Sequence, residues 1–141
     1  MKGSVMATST SCRYIYASLA LALLGACATT SNEPPEQAVQ RRSTAYWQAR
    51  MAGDYKKTYE LSTPSYRQLR TLEQHRSKFA PTVAVKNAEV SKVSCQADRC
   101  VATLKMTVQP VLPGLNLGTI PMYVDETWLL QDGQWWYFEE P

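Results

Sequence analysis

The sequence predicts one α+β domain, in which helices come first and an antiparallel β-sheet follows them. Helical spacing and capping residues occupy residues 37–79, whereas apolar and polar residues alternate in the segments that follow Pro81. Asp132-Gly133 stands between two of these segments and is a strong signal for a tight β-hairpin. We therefore expect residues 38–141 to form a single domain with its N-terminal helices packed on one face of the sheet.

The N-terminal residues have the pattern of a bacterial export signal. Lys2 and Arg13 are the only charged residues before Glu33, and an uncharged run covers residues 14–24. That run is shorter than the roughly 20 apolar residues that a membrane-spanning helix needs, but it has the length of a signal-peptide core. It leads into Leu-Gly-Ala-Cys at residues 24–27, which resembles the lipobox of bacterial lipoproteins.

The lipobox resemblance implies that the thiol of Cys27 is lipidated and that cleavage before Cys27 removes residues 1–26. Residue 28 is alanine, which in diderm bacteria implies sorting to the outer membrane, with the domain on the periplasmic face. Residues 27–37, which include Pro34 and Pro35, are then a flexible tether. The alternative is an ordinary signal peptide that is cut nearby and leaves a free periplasmic protein.

The charge balance gives no support to nucleic-acid binding. Without the leader, the chain carries 13 basic and 12 acidic side chains, so there is no bulk positive charge to attract a polyanion. The charges are unevenly placed, with a net +7 over residues 41–86 and a net −4 over residues 87–141. Internal pairing with a solvated face explains this asymmetry. The functional alternative is a basic helical surface that meets anionic lipid headgroups or an acidic partner.

Cysteine usage fits an oxidising compartment. Cys12 leaves with the leader and Cys27 is acylated, so Cys95 and Cys100 remain as a pair. A polar turn separates them between two strand-like segments, and facing positions across a hairpin bring β-carbons close enough for a disulfide. We predict this disulfide and expect it to fix the hairpin register. Two thiols without a nearby histidine fall short of a zinc site, and neither a metal nor a cofactor is predicted.

Capping residues divide the helical region into four helices. Glycine is favoured just after a helix end, Asp or Thr just before the first turn, and proline within the first turn. These signals occur as Gly53, Asp54, Thr63-Pro64 and a capping box of Thr71 with Gln74. The first helix is therefore expected over residues 37–52, the third to end at residue 70 and the fourth to end near residue 79.

Alternation predicts strands at residues 83–95, 101–109, 122–130 and 134–139. A two-residue turn at Asp132-Gly133 would pair the following residues: Leu130 with Trp135, Leu129 with Trp136, and Trp128 with Tyr137. Large apolar groups then lie on both faces of this hairpin. One face packs on the helices, and the other needs a ligand, a strongly curled sheet or a second subunit to cover it.

The same register places like charges opposite each other, Glu126 against Glu139 and Asp125 against Glu140. Such pairs destabilise a sheet. We expect the repulsion to be relieved by fraying of the terminus or by arginines such as Arg41 and Arg42, with a bound cation as the less favoured alternative.

Three stretches resemble the nuclear transport factor 2-like superfamily. They are Ala45-Tyr46-Trp47-Gln48-Ala49 with Gly53-Asp54-Tyr55 and Tyr59, then Leu61-Ser62-Thr63-Pro64-Ser65-Tyr66-Arg67, then Trp128 through Asp132-Gly133 to Trp135-Trp136-Tyr137. The resemblance covers nearly all of residues 38–140 and implies a cystatin-like cone, in which helices pack into a strongly curved antiparallel sheet, often with an apolar pocket. Members include ketosteroid isomerase-like enzymes and many non-enzymatic envelope or accessory domains. The strand that usually precedes the last helix has no counterpart here, which implies a shallower cone.

Few residues suggest chemistry. His75 is the only histidine. Its spacing with Leu72 and Phe79 points it inward, and a core role is favoured over that of a general base, which would need an acid or substrate partner. An aromatic set is expected to form the core or to line a pocket: Tyr46, Trp47, Tyr59, Trp128 and Trp136. The apolar connection at residues 110–121 is expected to be buried, with an exposed interaction surface or lid as the alternative.

These observations favour a membrane-anchored envelope lipoprotein whose periplasmic domain is a binding or assembly module. Its partners would be the membrane, through the lipid anchor, and a protein or a second copy of the chain, through the uncovered sheet face. The alternative is a small-molecule-binding protein or enzyme that uses the cone pocket, with His75 as the one weak candidate for a base.

Overall fold

The structure is a computed structural model that describes residues 33–79, 83–115 and 117–140. The predicted signal peptide, Cys27 and most of the tether lie outside the described residues. Within these residues, the helices are α1 (Pro35–Met51), α2 (Tyr55–Leu61), α3 (Pro64–Leu69) and α4 (Leu72–Ser77), and the strands are β1 (Val83–Gln96), β2 (Arg99–Pro110), β3 (Ile120–Gln131) and β4 (Gln134–Tyr137). No helix among them is long and apolar enough to cross a bilayer.

Local capping signals set the helix boundaries. The N-cap side chains of α2, α3 and α4 each accept a hydrogen bond from the backbone N–H three residues later, and these caps are Asp54, Thr63 and Thr71. The predicted capping box between Thr71 and Gln74 is complete. Proline suits the first turn of a helix, and α1 begins at Pro35, so residues 35–37 are helical although the sequence assigned them to the tether.

The four strands form one antiparallel sheet in the order β1-β2-β3-β4. The pairs predicted across the last hairpin are present: Leu130 with Trp135, Leu129 with Trp136, and Trp128 with Tyr137. β1 contains two bulges, between Val85 and Asn87 and between Val90 and Lys92. Bulges bend and twist a strand, and they account for the irregular alternation of β1 in the sequence.

The core lies between α1 and the sheet. α1 contacts β1, β2 and β4, so the curved sheet wraps around this helix. The buried apolar residues are Val39, Tyr46, Trp47, Leu61, Cys100, Ala102, Leu104, Met106, Val108, Trp128 and Trp135. The predicted α+β class, with N-terminal helices packed on a curved antiparallel sheet, is confirmed.

The predicted disulfide is confirmed between Cys95 and Cys100, which are cross-strand partners at the β1–β2 hairpin. We expect the Cys95→Ser/Cys100→Ser double variant to lose about 2 kcal/mol of unfolding free energy, because the bond closes only a short loop in the unfolded chain. Urea denaturation of the variant and of the oxidised protein measures this loss. Reduction of the unsubstituted protein should reproduce it, and an unchanged midpoint after reduction would show that the bond contributes nothing to stability.

Candidate functional site

Glu126, on β3, is a carboxylate buried beneath α1, and its side chain is 5% exposed. Its Oε1 accepts hydrogen bonds from the hydroxyl of Ser43 and from Trp128 Nε1, the latter at 2.8 Å. Its Oε2 accepts one from Trp47 Nε1 at 2.8 Å. The indole N–H is a donor only, so both oxygens must act as acceptors. A carboxylate that accepts hydrogen bonds from core side chains through both oxygens therefore fits this position.

Burial and hydrogen bonding act in opposite directions on this carboxyl group. Burial raises the pKa of Glu126, whereas the hydrogen bonds from Ser43, Trp128 and Trp47 and the charge of Arg50 lower it, and the net pKa lies above the usual value. Desolvation disfavours the charged form, and the donors compensate for it in part. A raised pKa would suit a general acid or base, but the lone pairs of this group already point at protein donors.

His75, on α4, is fully buried and belongs to a second polar cluster. Its Nε2 lies 2.8 Å from Thr58 Oγ1, and its Nδ1 lies 3.1 Å from the Tyr66 hydroxyl and 3.5 Å from Glu139 Oε2. The hydroxyl of Tyr46 donates to Glu139 Oε1 at 3.2 Å. His75 therefore has the acid partner that the sequence could not identify.

The hydrogen-bond directions define what His75 can do. Thr58 donates its hydroxyl proton to the carbonyl of Tyr55 at 3.0 Å, so Nε2 of His75 must be the donor to Thr58. Nδ1 then accepts from Tyr66 when the ring is neutral, and faces Glu139 as a donor when the ring is protonated. Because both nitrogens have protein partners and the ring is buried, His75 is a core residue rather than a base that reaches a substrate.

Glu139 is the anionic member of this cluster. Burial alone would raise its pKa, but the imidazole of His75, 3.5 Å from Oε2, and the positive charge of Lys78, 4.0 Å from Oε2, lower the pKa below its usual value. The predicted ladder pair with Glu126 is wrong, because β4 ends at Tyr137 and Glu139 turns toward the helices. The predicted pair of Asp125 with Glu140 is wrong for the same reason. The repulsion is avoided by separate buried partners, and Arg41 instead pairs with Glu33 at 2.9 Å.

The predicted aromatic set divides between different environments. Tyr46, Trp47 and Trp128 are buried in the core next to the two carboxylates. Tyr59 is half-buried, donates to the carbonyls of Arg67 and Arg70, and packs against His75. Trp136 is half-buried on the opposite face of β4 from Trp135, where Arg42 and Arg67 cover it.

A cavity lies beside the second cluster, and neither Glu126 nor His75 lines it. Its volume is about 330 Å³, and it is lined by Tyr66, which belongs to the cluster, and by Arg70, Gln74, Ser77, Lys78 and Glu140. The described residues also contain no group of three or more His, Cys, Asp or Glu side chains that could hold a metal ion.

The connection between β2 and β3 is exposed, and the prediction that it is buried is wrong. We call its exposed side chains the apolar tip: Val111, Leu112, Leu115, Leu117, Ile120, Met122 and Tyr123. Each has a relative exposure between 41% and 67%. Leu115 donates its N–H to the carbonyl of Leu112 at 3.2 Å, and Gly114 between them has a φ of 80°. This is the geometry of a type II turn with proline at its second position, and it places two leucines at the end of the sheet.

The described domain has the architecture of an α+β cone. Similar solved structures indicate which known fold of this class it has. A protein from Streptomyces avermitilis assigned as a dehydratase of the NTF2-like (nuclear transport factor 2-like) family shares 14% identity, with a TM-score of 0.50 over 72% of this chain and 90% of that chain. An LEH-like epoxide hydrolase of M. tuberculosis shares 11% identity, with a TM-score of 0.50 over 74% and 83%. A protein from Thiobacillus denitrificans assigned as a calcium/calmodulin-dependent protein kinase type II association domain shares 11% identity, with a TM-score of 0.51 over 74% and 93%.

These likenesses show the fold, which is that of the nuclear transport factor 2-like proteins. No protein-family model matches the sequence, and no curated protein is similar to it. The fold resemblance drawn from the aromatic and turn motifs is therefore supported. The activities of the neighbours belong to those proteins.

Proposed function

We propose that this protein is a membrane-anchored envelope lipoprotein whose domain acts as a binding or assembly module. The apolar tip carries this proposal, because its seven exposed large apolar side chains within residues 111–123 exceed the scattered single ones that are usual on a soluble domain. Residues 106–124 contain no charged side chain, so nothing within the segment itself opposes its burial against a partner. The export signal and the lipobox support the anchor at Cys27.

The buried carboxylates support binding over catalysis. Glu126 is held by Ser43, Trp47 and Trp128, and His75 is held by Thr58 and Tyr66. A general base must reach the proton that it abstracts, directly or through a water. Groups with these partners fix the packing of α1 and α4 on the sheet. Among the structural neighbours, the protein from Thiobacillus denitrificans is assigned as an association domain, which is compatible with an assembly role.

A small-molecule-binding protein or enzyme is the second candidate. It is favoured by the cavity of about 330 Å³ beside Tyr66, whose cationic wall includes Arg70 and Lys78. Two of the structural neighbours are assigned as a dehydratase and an epoxide hydrolase. This cavity would serve a ligand without any direct contact to His75.

The first test is the intact mass of the protein extracted from membranes, together with organic-solvent extraction of any ligand that co-purifies. A chain that begins at Cys27, carries acyl groups and lacks two hydrogens for the disulfide would support the anchored module. A stoichiometric small molecule would favour the second candidate. An unacylated chain would contradict the anchor.

Variants of the tip test the binding role. We expect Leu115→Ser/Leu117→Ser to weaken association with the partner at least about tenfold, because central apolar contacts dominate interface energies. Photo-crosslinking from position 119 in cells, an exposed position between the substituted leucines and β3, with sedimentation of the purified protein to detect a second copy, measures this change. Leu69→Ser is the matched control, since Leu69 is 65% exposed on α3, away from the tip. Equal crosslinking in the two variants would contradict the role of the tip, and both should keep the unfolding midpoint of the unsubstituted protein.

A further inference from the structure

Trp136 contacts two guanidinium groups from different helices. The central carbon of the Arg42 guanidinium, on α1, lies 5.1 Å from the centroid of the Trp136 ring, and that of Arg67, on α3, lies 4.8 Å from it. Each contact alone is an ordinary cation–π interaction. Together they bring two positive charges from α1 and α3 to one aromatic side chain of β4. We call these three residues the arginine–tryptophan site.

The positive charges at this site have no carboxylate partner among the described residues. Nε of Arg42 is buried without a hydrogen-bond acceptor, and the guanidinium of Arg67 donates only to the backbone carbonyl of Glu60. The side chain of Glu60 lies 3.9 Å from Lys56 instead. Burial, and then the neighbouring charges of Arg41 and Arg67, lower the pKa of Arg42. Buried donors and adjacent like charges both cost free energy when nothing compensates them.

We propose that Arg42 and Arg67, against the ring of Trp136, bind a phosphate-type oxyanion. Guanidinium forks match the oxygens of phosphate, and a group with several oxygens can accept from two arginines at once. The indole N–H of Trp136 is already donated to the carbonyl of Gln131 at 3.1 Å, so the tryptophan contributes its ring and leaves the donors to the arginines. An anion beside the two guanidinium groups would offset the repulsion between them.

The chemistry is shared by two sources, the headgroup of an anionic phospholipid and a soluble phosphate ester. Both arginines belong to the basic segment of the chain, residues 41–86, which carries a net charge of +7. The arginine–tryptophan site is separate from the apolar tip and does not depend on the function proposed for the tip. It also differs from the cavity beside Tyr66, which shares none of its three residues.

The test uses the full chain in neutral detergent, with the indole N–H resonance of Trp136 as the reporter of binding. One arm titrates inorganic phosphate, and the other titrates dihexanoyl phosphatidylglycerol below its micelle concentration. We expect a saturable shift of this resonance, and we expect Arg42→Gln and Arg67→Gln each to weaken binding about tenfold through loss of a charge-assisted hydrogen bond. Lys86→Gln is the matched control, because it removes one exposed positive charge from β1, the edge strand farthest from β4, and should change the affinity less than twofold.

The two arms distinguish the sources of the phosphate group. Tighter binding of the phospholipid than of inorganic phosphate assigns the site to a lipid headgroup, and the reverse assigns it to a soluble phosphate ester. No shift of the Trp136 resonance in either arm would overturn the proposal, as would equal weakening by Lys86→Gln. If a glutamine variant does not fold, Arg42→Lys keeps the charge without the fork and should still weaken binding severalfold.

Discussion

Replacement of Glu126 with alanine is expected to lower the free energy of unfolding by about 4 kcal/mol. The substitution leaves the indole N–H groups of Trp47 and Trp128 and the hydroxyl of Ser43 without their acceptor inside the core. A buried donor that loses its partner costs about 1–3 kcal/mol, and the missing side chain also leaves a cavity. Urea denaturation of the variant and of the unsubstituted protein at neutral pH measures the loss.

The neighbouring residue provides the control. Asp125 lies on the opposite face of β3, is exposed, and accepts a hydrogen bond from Thr103 at 2.7 Å. We expect Asp125→Asn to change stability by less than about 0.5 kcal/mol. Glu126→Gln should fall between the two, at about 2 kcal/mol, because an amide has one acceptor oxygen for two indole donors. Similar losses for Glu126→Ala and Asp125→Asn would show that the three donors do not depend on this carboxylate.

Local signals in the sequence predicted most of the fold. The caps at Asp54, Thr63 and Thr71 and the turn at Asp132-Gly133 each depend on residues within a few positions of one another. The hydrogen bonds that these residues form can therefore be predicted from the sequence alone. The first strand was the least regular in the sequence, because bulges shift the side that its residues face.

The buried polar clusters could not be predicted in this way, because their partners lie far apart in the chain. Ser43 and Glu126 are separated by 83 residues, and only the packing of α1 on β3 brings them together. The sequence identified His75 as inward-facing from its spacing, but spacing carries no information about Glu139. The sequence also predicted that β4 extends to residue 139. Glu139 was therefore expected opposite Glu126, whereas in the structure it lies beside His75 of α4.

The apolar connection at residues 110–121 shows a different limit. Its composition was compatible with either a buried bulge or an exposed surface, and burial was favoured because exposure of leucines is costly. The turn from Leu112 to Leu115 instead leaves both leucines exposed. Hydrophobicity alone does not reveal whether a covering element is present.

Replacement of His75 with phenylalanine is expected to lower the free energy of unfolding by about 3 kcal/mol. Phenylalanine keeps a planar ring against Phe79 but removes the partners of Thr58 and Tyr66 and the ring nitrogen that lies 3.5 Å from Glu139 Oε2. Loss of one member of a buried charged cluster is costly because the remaining groups stay desolvated. A cycle with Glu139→Gln measures the coupling, and the double variant should lose clearly less than the sum of the single losses. Additive losses would contradict a direct interaction between His75 and Glu139.

The two buried glutamates should also give the stability opposite dependences on pH. The pKa of Glu139 is lowered in the folded protein, so its contribution is present above the unfolded value near 4.5 and is lost as the pH falls through the folded pKa. The pKa of Glu126 is raised, so its contribution is complete below 4.5 and is lost as the pH rises through the folded pKa.

Urea denaturation from about pH 3 to about pH 8 compares the unsubstituted protein with Glu139→Gln and with Glu126→Gln. The unsubstituted protein should lose stability relative to Glu139→Gln as the pH falls. It should lose stability relative to Glu126→Gln as the pH rises toward neutral. If the two differences in unfolding free energy change with pH in the same direction, then either burial does not dominate at Glu126 or His75 and Lys78 do not stabilise the Glu139 anion.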